Sequence, residues 1–326
     1  MRLFENANFQ FVKYRYYAYA LSILFILAGV FGLITKGLNW SIEFSSGVSA
    51  RVNLQSLDKQ VPPVEIDKLR GVLAKNGFKE AEIQFVGKQE EATFLIKIRS
   101  LDKNPDSANN TKDSRIKILQ TEFPDYIKGR DMNTEVIQEL SIVGPKVGGE
   151  LRTQALLACL IAMLLIIIYV WFRYELVFGV MAIVALLHDV FIIVGIFSLM
   201  GKEITVQIIA VLLTIIGYSI NDTIVIFDRI REDLKKSRTN DYTEIFNRAI
   251  NETLSRTVIT FLTTVFTTGA LFFFGGPVIH DFAFGMLLGL FFGTFSTIFV
   301  ASNLVIEFFL VSHKEKDSLK KLTKKK

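Results

Sequence analysis

The chain has 326 residues, 51% of them apolar, with a mean hydropathy of +0.39, which excludes an ordinary soluble domain. Its net charge of +5 is gathered into a few segments, a distribution that points to basic residues collected on one side of a membrane and not to a nucleic-acid surface. Cys159 is the only cysteine and His188, His280 and His313 the only histidines, so no internal disulfide and no Cys/His metal centre is expected, and no cofactor is implied.

A bilayer-spanning helix needs about 20 largely apolar residues. The first such stretch is Tyr17–Ile34. Its apolar core exceeds the roughly 7–15 residues of a signal peptide and no small-residue cleavage site follows, so residues 1–34 are expected to be a short N-terminus and a retained first span.

Residues 35–152 read as a separate α+β domain. Ile42, Phe44, Val48, Ala50, Val52 and Leu54 alternate with mostly polar residues, the period of a half-buried strand. Pro62 and Pro63 open a helix with Ile66, Leu69, Val72 and Leu73 on one face, ended by Asn76-Gly77. Ala81, Ile83 and Phe85 alternate again, as do Phe94, Ile96 and Ile98. A polar loop from Asp102 to Asn110 precedes a second helix carrying Ile116, Leu119, Phe123 and Tyr126, and a last strand covers about Thr134–Val143. The order βαββαβ is that of a ferredoxin-like split βαβ domain. No catalytic constellation is visible in it, and Glu43 reads as a surface charge.

Five further apolar stretches occupy residues 153–311: Thr153–Phe172, Leu176–Leu199, Ile204–Phe227, Leu254–Phe274 and Phe282–Val311. The last is long enough to tilt or to leave the membrane as an amphipathic extension. Residues 312–326 form a basic tail. With the N-terminus inside, the cytoplasmic segments hold eighteen basic residues near span ends and the two short outer loops hold one, Lys202. That asymmetry puts both termini in the cytoplasm and the 35–152 domain outside. The expected architecture is a six-helix transmembrane bundle with one extracytoplasmic domain between its first two helices.

Ionisable residues inside a span are costly and are functional candidates by default. In the fourth span, Gln207, Thr214, Tyr218 and Asp222 share one helical face, with Asn221 beside them. Asp222 lies roughly 8 Å inside the cytoplasmic end at 1.5 Å per residue, and Asp228 sits at the interface. In the fifth span, Arg256, Thr260, Thr263 and Thr267 form a polar stripe. Arg256 lies at a depth comparable with Asp222, so contact between them is geometrically open. The arginine would favour the charged carboxylate and burial the neutral one, the opposition a protonatable switch needs. The same pair would serve as a clamp between two helices, Arg256 could instead snorkel to the interface, and the threonines could bond only their own backbone or a neighbouring helix. His188 and Asp189 lie in the third span; adjacent helical residues diverge by about 100° and do not share one partner. His188 reads either as packing or as a proton carrier. Gly285, Gly289, Gly293 and Thr297, spaced by four in the sixth span, read as a helix-packing face.

Four segments resemble the SecD/SecF family, within the resistance–nodulation–division (RND) superfamily. They are G-L-N-W-S-I-E-F-S-S-G after the first span, V-G-P-K-V-G-G-E-L before the second, G-Y-S-I-N-D-T-I-V-I-F-D-R-I-R-E in the fourth and N-E-T-L-S-R-T opening the fifth. The resemblance runs from about Trp40 to Val311. The first segment departs from the family pattern N-x-G-I-D-F-x-G-G, with Ser41 and Ser46 in place of glycine and Glu43 in place of aspartate. The resemblance implies half of an RND-type unit, completed by a SecD partner and often by a small third subunit of the YajC type. It implies work alongside the SecYEG channel, after SecA, with the proton-motive force assisting movement and release of unfolded exported polypeptide. Asp222 and Arg256 fall on the family's charged membrane residues tied to proton movement. It implies no covalent catalysis, and an intramembrane hydrolase lacks a motif here. Alternatives are an RND-type half exporter of small molecules or lipids, and a structural brace for SecD without its own proton role.

Overall fold

The computed structural model describes residues 7–58, 61–78, 81–87, 91–99, 117–173, 176–237 and 241–323. The expected loop Asp102–Asn110 and Ile116 lie outside these residues, as do Arg238 and the last three lysines of the tail. Among the described residues six helices are long and apolar enough to cross a membrane, one for each expected stretch. The spans in order are α1 (Arg15–Thr35), α3 (Pro145–Arg173), α4 (Leu176–Met200), α5 (Val206–Lys236), α6 (Tyr242–Phe274), and a compound sixth made of α7 (Gly276–Ser296), one π turn (Thr297–Ala301) and α8 (Ser302–Thr323). In the α+β domain, α2 (Ile66–Lys75) is joined by a helical segment over residues 117–122 and a short turn at Pro124–Ile127, where the second domain helix is expected.

Two spans run beyond their apolar windows. Thr205 Oγ1 accepts from Ile208 N at 3.2 Å and so caps α5, which continues past Phe227 to Lys236. Asp241 accepts from Thr243 N and Glu244 N and starts α6 well before Leu254. These polar extensions are tied by ion pairs between Arg229 and Glu252 and between Arg248 and the buried Asp233 at 3.2 Å.

The interior of the bundle is α4, α5 and the sixth span. Half of the most apolar stretch of α4 is buried and only 6% of that of α3, so the second span stands at the periphery. Small residues set the close crossings. A Cβ on Gly195 of α4 would fall 2.5 Å from the Cα of Gly29 on α1, so only glycine fits. The sixth-span stripe packs within the chain, on α5. Gly285 lies over Val211, Gly289 over Ile215 and Gly293 over Ser219, and the Thr297 hydroxyl meets Thr223. Four-residue spacing on one helix meets four-residue spacing on the other, and the backbones approach because one side lacks side chains.

The α+β domain is built on an antiparallel sheet in the order β3 (Glu82–Phe85), β4 (Thr93–Arg99), β2 (Gly47–Asn53), β5 (Ile137–Val143). Its core lies on one face, where Val52, Leu54, Phe94 and Ile96 meet Leu69 and Leu73 of α2 with Leu119 and Phe123. The opposite face carries Arg51, Glu82, Lys97 and Glu139 toward a cleft over the bundle, with Arg99 beside Glu82. A second, two-stranded parallel sheet pairs β1 (Asn39–Trp40) with β6 (Glu203–Ile204) in the α4–α5 connection, and the sequence pattern did not announce it.

The strand expected from Ile42 begins instead at Gly47. Residues Ile42–Ser45 form one helical turn, and both Ile42 and Phe44 are buried in it. Glu43, expected as a surface charge, accepts a hydrogen bond from Val206 N at 2.9 Å, at the first turn of α5. The turn ends at Ser46, where φ is +74° and ψ is 150°. That region is almost exclusively glycine's, and Ser46 stands where the family pattern has glycine. The site is cramped, since Gly148 of α3 packs against Ser46 N and Phe44 O. Ser46→Gly should therefore raise the stability of the purified chain by about 1–2 kcal/mol. A thermal melt in detergent checks this, and an unchanged midpoint would refute the strain.

Candidate functional site

The polar residues expected on the fourth span lie on α5. Gln207 and Thr214 are exposed, Tyr218 is half-buried and Asp222 is 2% exposed, while Asn221, beside Asp222, turns outward and is exposed. The shared face expected from the spacing is thus graded from open to closed. Asp222 Oδ2 is buried without a hydrogen-bond partner among the described residues. Arg256 of α6 is close enough to act on it electrostatically, but no ion pair within 4.0 Å joins them among the described residues. Arg256 is itself exposed. With Arg229, Asn251, Glu252 and Thr260 it lines an open cavity of about 1350 Å3 at the end of the bundle where α5 and α6 extend. The pair is therefore no closed clamp: a buried, uncommitted carboxylate stands behind a solvent-facing cation.

Tyr218 lies one turn further along, its hydroxyl facing Thr260, Thr264 and Thr294 with no hydrogen bond closed. The threonines of the α6 stripe bond their own helix. Thr260 donates to Arg256 O and Thr257 O, Thr263 to Ile259 O and Thr260 O, and Thr267 to Thr263 O. Thr263 and Thr267 point out of the bundle. The stripe is a polar rim and not a continuous side-chain wire.

A second cluster lies deeper, and the sequence pattern exposed only half of it. Asp189 of α4 is 1% exposed. Its Oδ2 accepts from Ser219 of α5 and Ser296 of α7, each at 2.8 Å, and its Oδ1 meets His188 Nδ1 at 2.9 Å. His188 and Asp189 contact each other and share no third partner, and His188 Nε2 is left without one among the described residues. Next to this knot Thr223 and Thr297 join at 3.0 Å, at the start of the π turn. Such turns accumulate where helix geometry serves function. Ser219 and Thr223 sit inside the fourth-span motif, and their spacing against the glycine stripe was the available signal for this network.

The N-terminal segment is fastened to the same end of α6. Asn251 accepts from Phe9 N and donates to Phe9 O, both at 2.9 Å, and Asn247 accepts from Val12 N at 3.0 Å. Arg15 at the foot of α1 meets Glu307 of α8 at 2.6 Å. Asn251 opens the fifth-span motif, but these contacts leave no mark in the sequence, because their partners are main-chain groups far away in the chain.

Residues 124–310 match the family described as protein export membrane protein SecD/SecF, C-terminal. The chain belongs to the SecD/SecF family. It is 40% identical to a protein translocase subunit SecF of Desulfurispirillum indicum over 91% of this chain and 90% of that one. It is 38% identical to a SecF of Thermodesulfovibrio yellowstonii over 94% and 96%. It is also 40% identical to a protein translocase subunit SecDF of Thermus thermophilus, covering 92% of this chain and 38% of the longer protein. A crystal structure of SecDF from Thermus thermophilus, described as a translocon-associated membrane protein, superposes with a TM-score of 0.78 at 38% identity. The superposition covers 94% of this chain and 39% of that one. A SecD/SecF chain with six membrane-crossing helices is a multi-pass membrane protein.

Proposed function

We propose that this chain is a SecF-type accessory subunit of the Sec export machinery and that it uses the proton-motive force, through Asp222 and Arg256, to assist movement and release of unfolded polypeptide. The names of its relatives support the export role. The SecDF relative, of which this chain spans 38%, supports a SecD-type partner and a bundle that is half of a larger RND-type unit. Further partners on this reading are the SecYEG channel with SecA upstream, a small YajC-type subunit, and membrane lipid. The chain is a transport component without covalent catalysis.

Eighteen basic residues against one support an orientation in the bacterial inner membrane with both termini cytoplasmic. Residues 1–34 are then the N-terminus and first span, 35–152 the outer domain, 153–311 the remaining spans and 312–326 a cytoplasmic tail. The antiparallel order β3-β4-β2-β5 with helices packed on one face supports a ferredoxin-like reading of the outer domain.

The observation that carries the proton reading is the buried Asp222 carboxylate with one unpartnered oxygen, set behind Arg256 on an open cavity. Tyr218 and Thr260 line the approach to it, Asn221, Thr263 and Thr267 face a partner surface, and His188 with Asp189 form the inner end of the polar path. A structural brace is the second reading, favoured by the threonine hydroxyls that bond only their own helix. Proteoliposomes holding this chain, its SecD-type partner and the channel decide between them. Under a proton gradient, late-stage movement of an exported chain should exceed that after an ionophore collapses the gradient. Equal movement in both conditions would leave only the brace.

A further inference from the structure

The α+β domain meets the bundle through charges. Lys97 and Arg99 project from β4 on the sheet face away from the domain core, beside Glu82 of the neighbouring strand β3. Opposite them stands Glu203 of β6, at the root of α5. Lys97 Nζ lies 2.5 Å from Glu203 Oε2 and Arg99 3.6 Å from Oε1. Arg99 also reaches Glu82 at 3.2 Å and Asn39 of β1. Glu203 Oε1 is buried with no hydrogen-bond donor among the described residues. The cleft between sheet and bundle measures about 670 Å3.

We propose that Glu82 and Glu203, with Lys97 and Arg99 between them, form a proton-sensitive latch that docks the polar sheet face on the helix bundle. When both carboxylates are ionised they repel across a partly buried cleft, and Glu203 Oε1 lacks a donor. A proton on Glu82 removes the repulsion and supplies that donor. Burial first, and then the neighbouring Glu203 carboxylate, push Glu82 up to about 7, against the opposing pull of Arg99 and Lys97. The other charges around the cleft are committed elsewhere. Arg51 pairs with Glu139 at 3.3 Å, Lys202 with Asp281 at 2.5 Å and Arg70 with Asp67 at 2.6 Å, and Glu43 caps α5.

The raised value fixes the sign. The docked state binds the proton more tightly than the undocked one, where Glu82 titrates near its ordinary 4.5. Docking is strongest below that value, weakens as pH rises through the window from 4.5 to about 7, and is weakest above it. Because the Glu82 side chain is 35% exposed, solvent screening reduces the expected change in the docking equilibrium to about tenfold across the window. The latch responds to the pH of the side on which the domain lies, and it stands independently of any proton role for Asp222.

The test is a distance measurement on the full chain in lipid nanodiscs. With Cys159→Ser as background, nitroxide labels at Lys128→Cys in the domain and Met200→Cys at the end of α4 report the separation by pulsed electron resonance. Otherwise unaltered protein should give a narrow distribution at pH 5.5, and at pH 8 an undocked population several-fold larger, the part of the tenfold change that lies above pH 5.5. Glu82→Gln, which cannot ionise, should stay narrow at both, and Glu203→Gln, which removes the repelling carboxylate, should broaden less between the two pH values than the unaltered protein. A distribution that does not change with pH in the unaltered protein overturns the latch. So does a Glu82→Gln variant that still responds to pH, or a Glu203→Gln variant that responds as fully as the unaltered protein.

Discussion

Asp222→Asn should leave the chain folded and associated with its SecD-type partner, yet reduce export under a proton gradient to the level seen without one. The reasoning starts from what the side chain does in the structure. Asp222 is 2% exposed and its Oδ2 makes no hydrogen bond among the described residues, so an amide of the same shape gives up no donor at that oxygen. What asparagine removes is the ability to take up and release a proton. Because Arg256 makes no ion pair with Asp222 within 4.0 Å, the substitution also breaks no clamp between α5 and α6. Those helices remain tied by Arg229 with Glu252 and by Arg248 with Asp233. Two measurements are read together: co-purification of the partner, and export with and without an ionophore. Retained partner with lost gradient dependence supports the proton role. Full gradient-dependent export in the variant sinks it, and loss of the partner would turn the pair into a brace.

The spans were legible because hydrophobic length is a one-dimensional signal: each expected stretch became a helix. Their ends were not, since hydropathy stops at Phe227 and Leu254 while α5 and α6 continue on capping and ion pairs that leave no apolar trace. The even-numbered parity from Ile42 correctly marked buried positions, but one helical turn can bury Ile42 and Phe44 as a strand would, so the start of β2 was misplaced. At the site, Asp222 and Arg256 stood out because charge in a span is rare. The geometry between them did not, because a spacing along two helices sets depth and not rotation. The serines around Asp189 were hidden for a related reason. Each is a small residue in an apolar run, and its meaning comes from a carboxylate on another helix, 30 positions away for Ser219 and 107 for Ser296.

Asp189 calls for a different pair of substitutions, because its surroundings are closed where those of Asp222 are open. Three donors converge on it, from Ser219, Ser296 and His188. Asp189→Leu strands all three inside the bundle. Each unsatisfied group costs about 1–3 kcal/mol in a dry interior, although hydrogen bonds within membranes are often worth nearer 0.6 kcal/mol because freed groups find other partners. Ser296 already has such a partner in Gly293 O at 3.0 Å, and Ser219 and His188 have no alternative of that kind among the described residues. The expected loss is therefore about 2–4 kcal/mol, seen as a lowered melting temperature and poor recovery of folded protein from the membrane. Asp189→Asn should be far milder, since the two serine hydroxyls can rotate to accept from the amide. Export then separates the roles. If Asp189 only holds α4, α5 and α7 together, the asparagine variant keeps gradient-dependent export. If a proton must pass through this knot, the same well-folded variant loses it, and the polar path extends from the open cavity at Arg256 to the middle of the bundle.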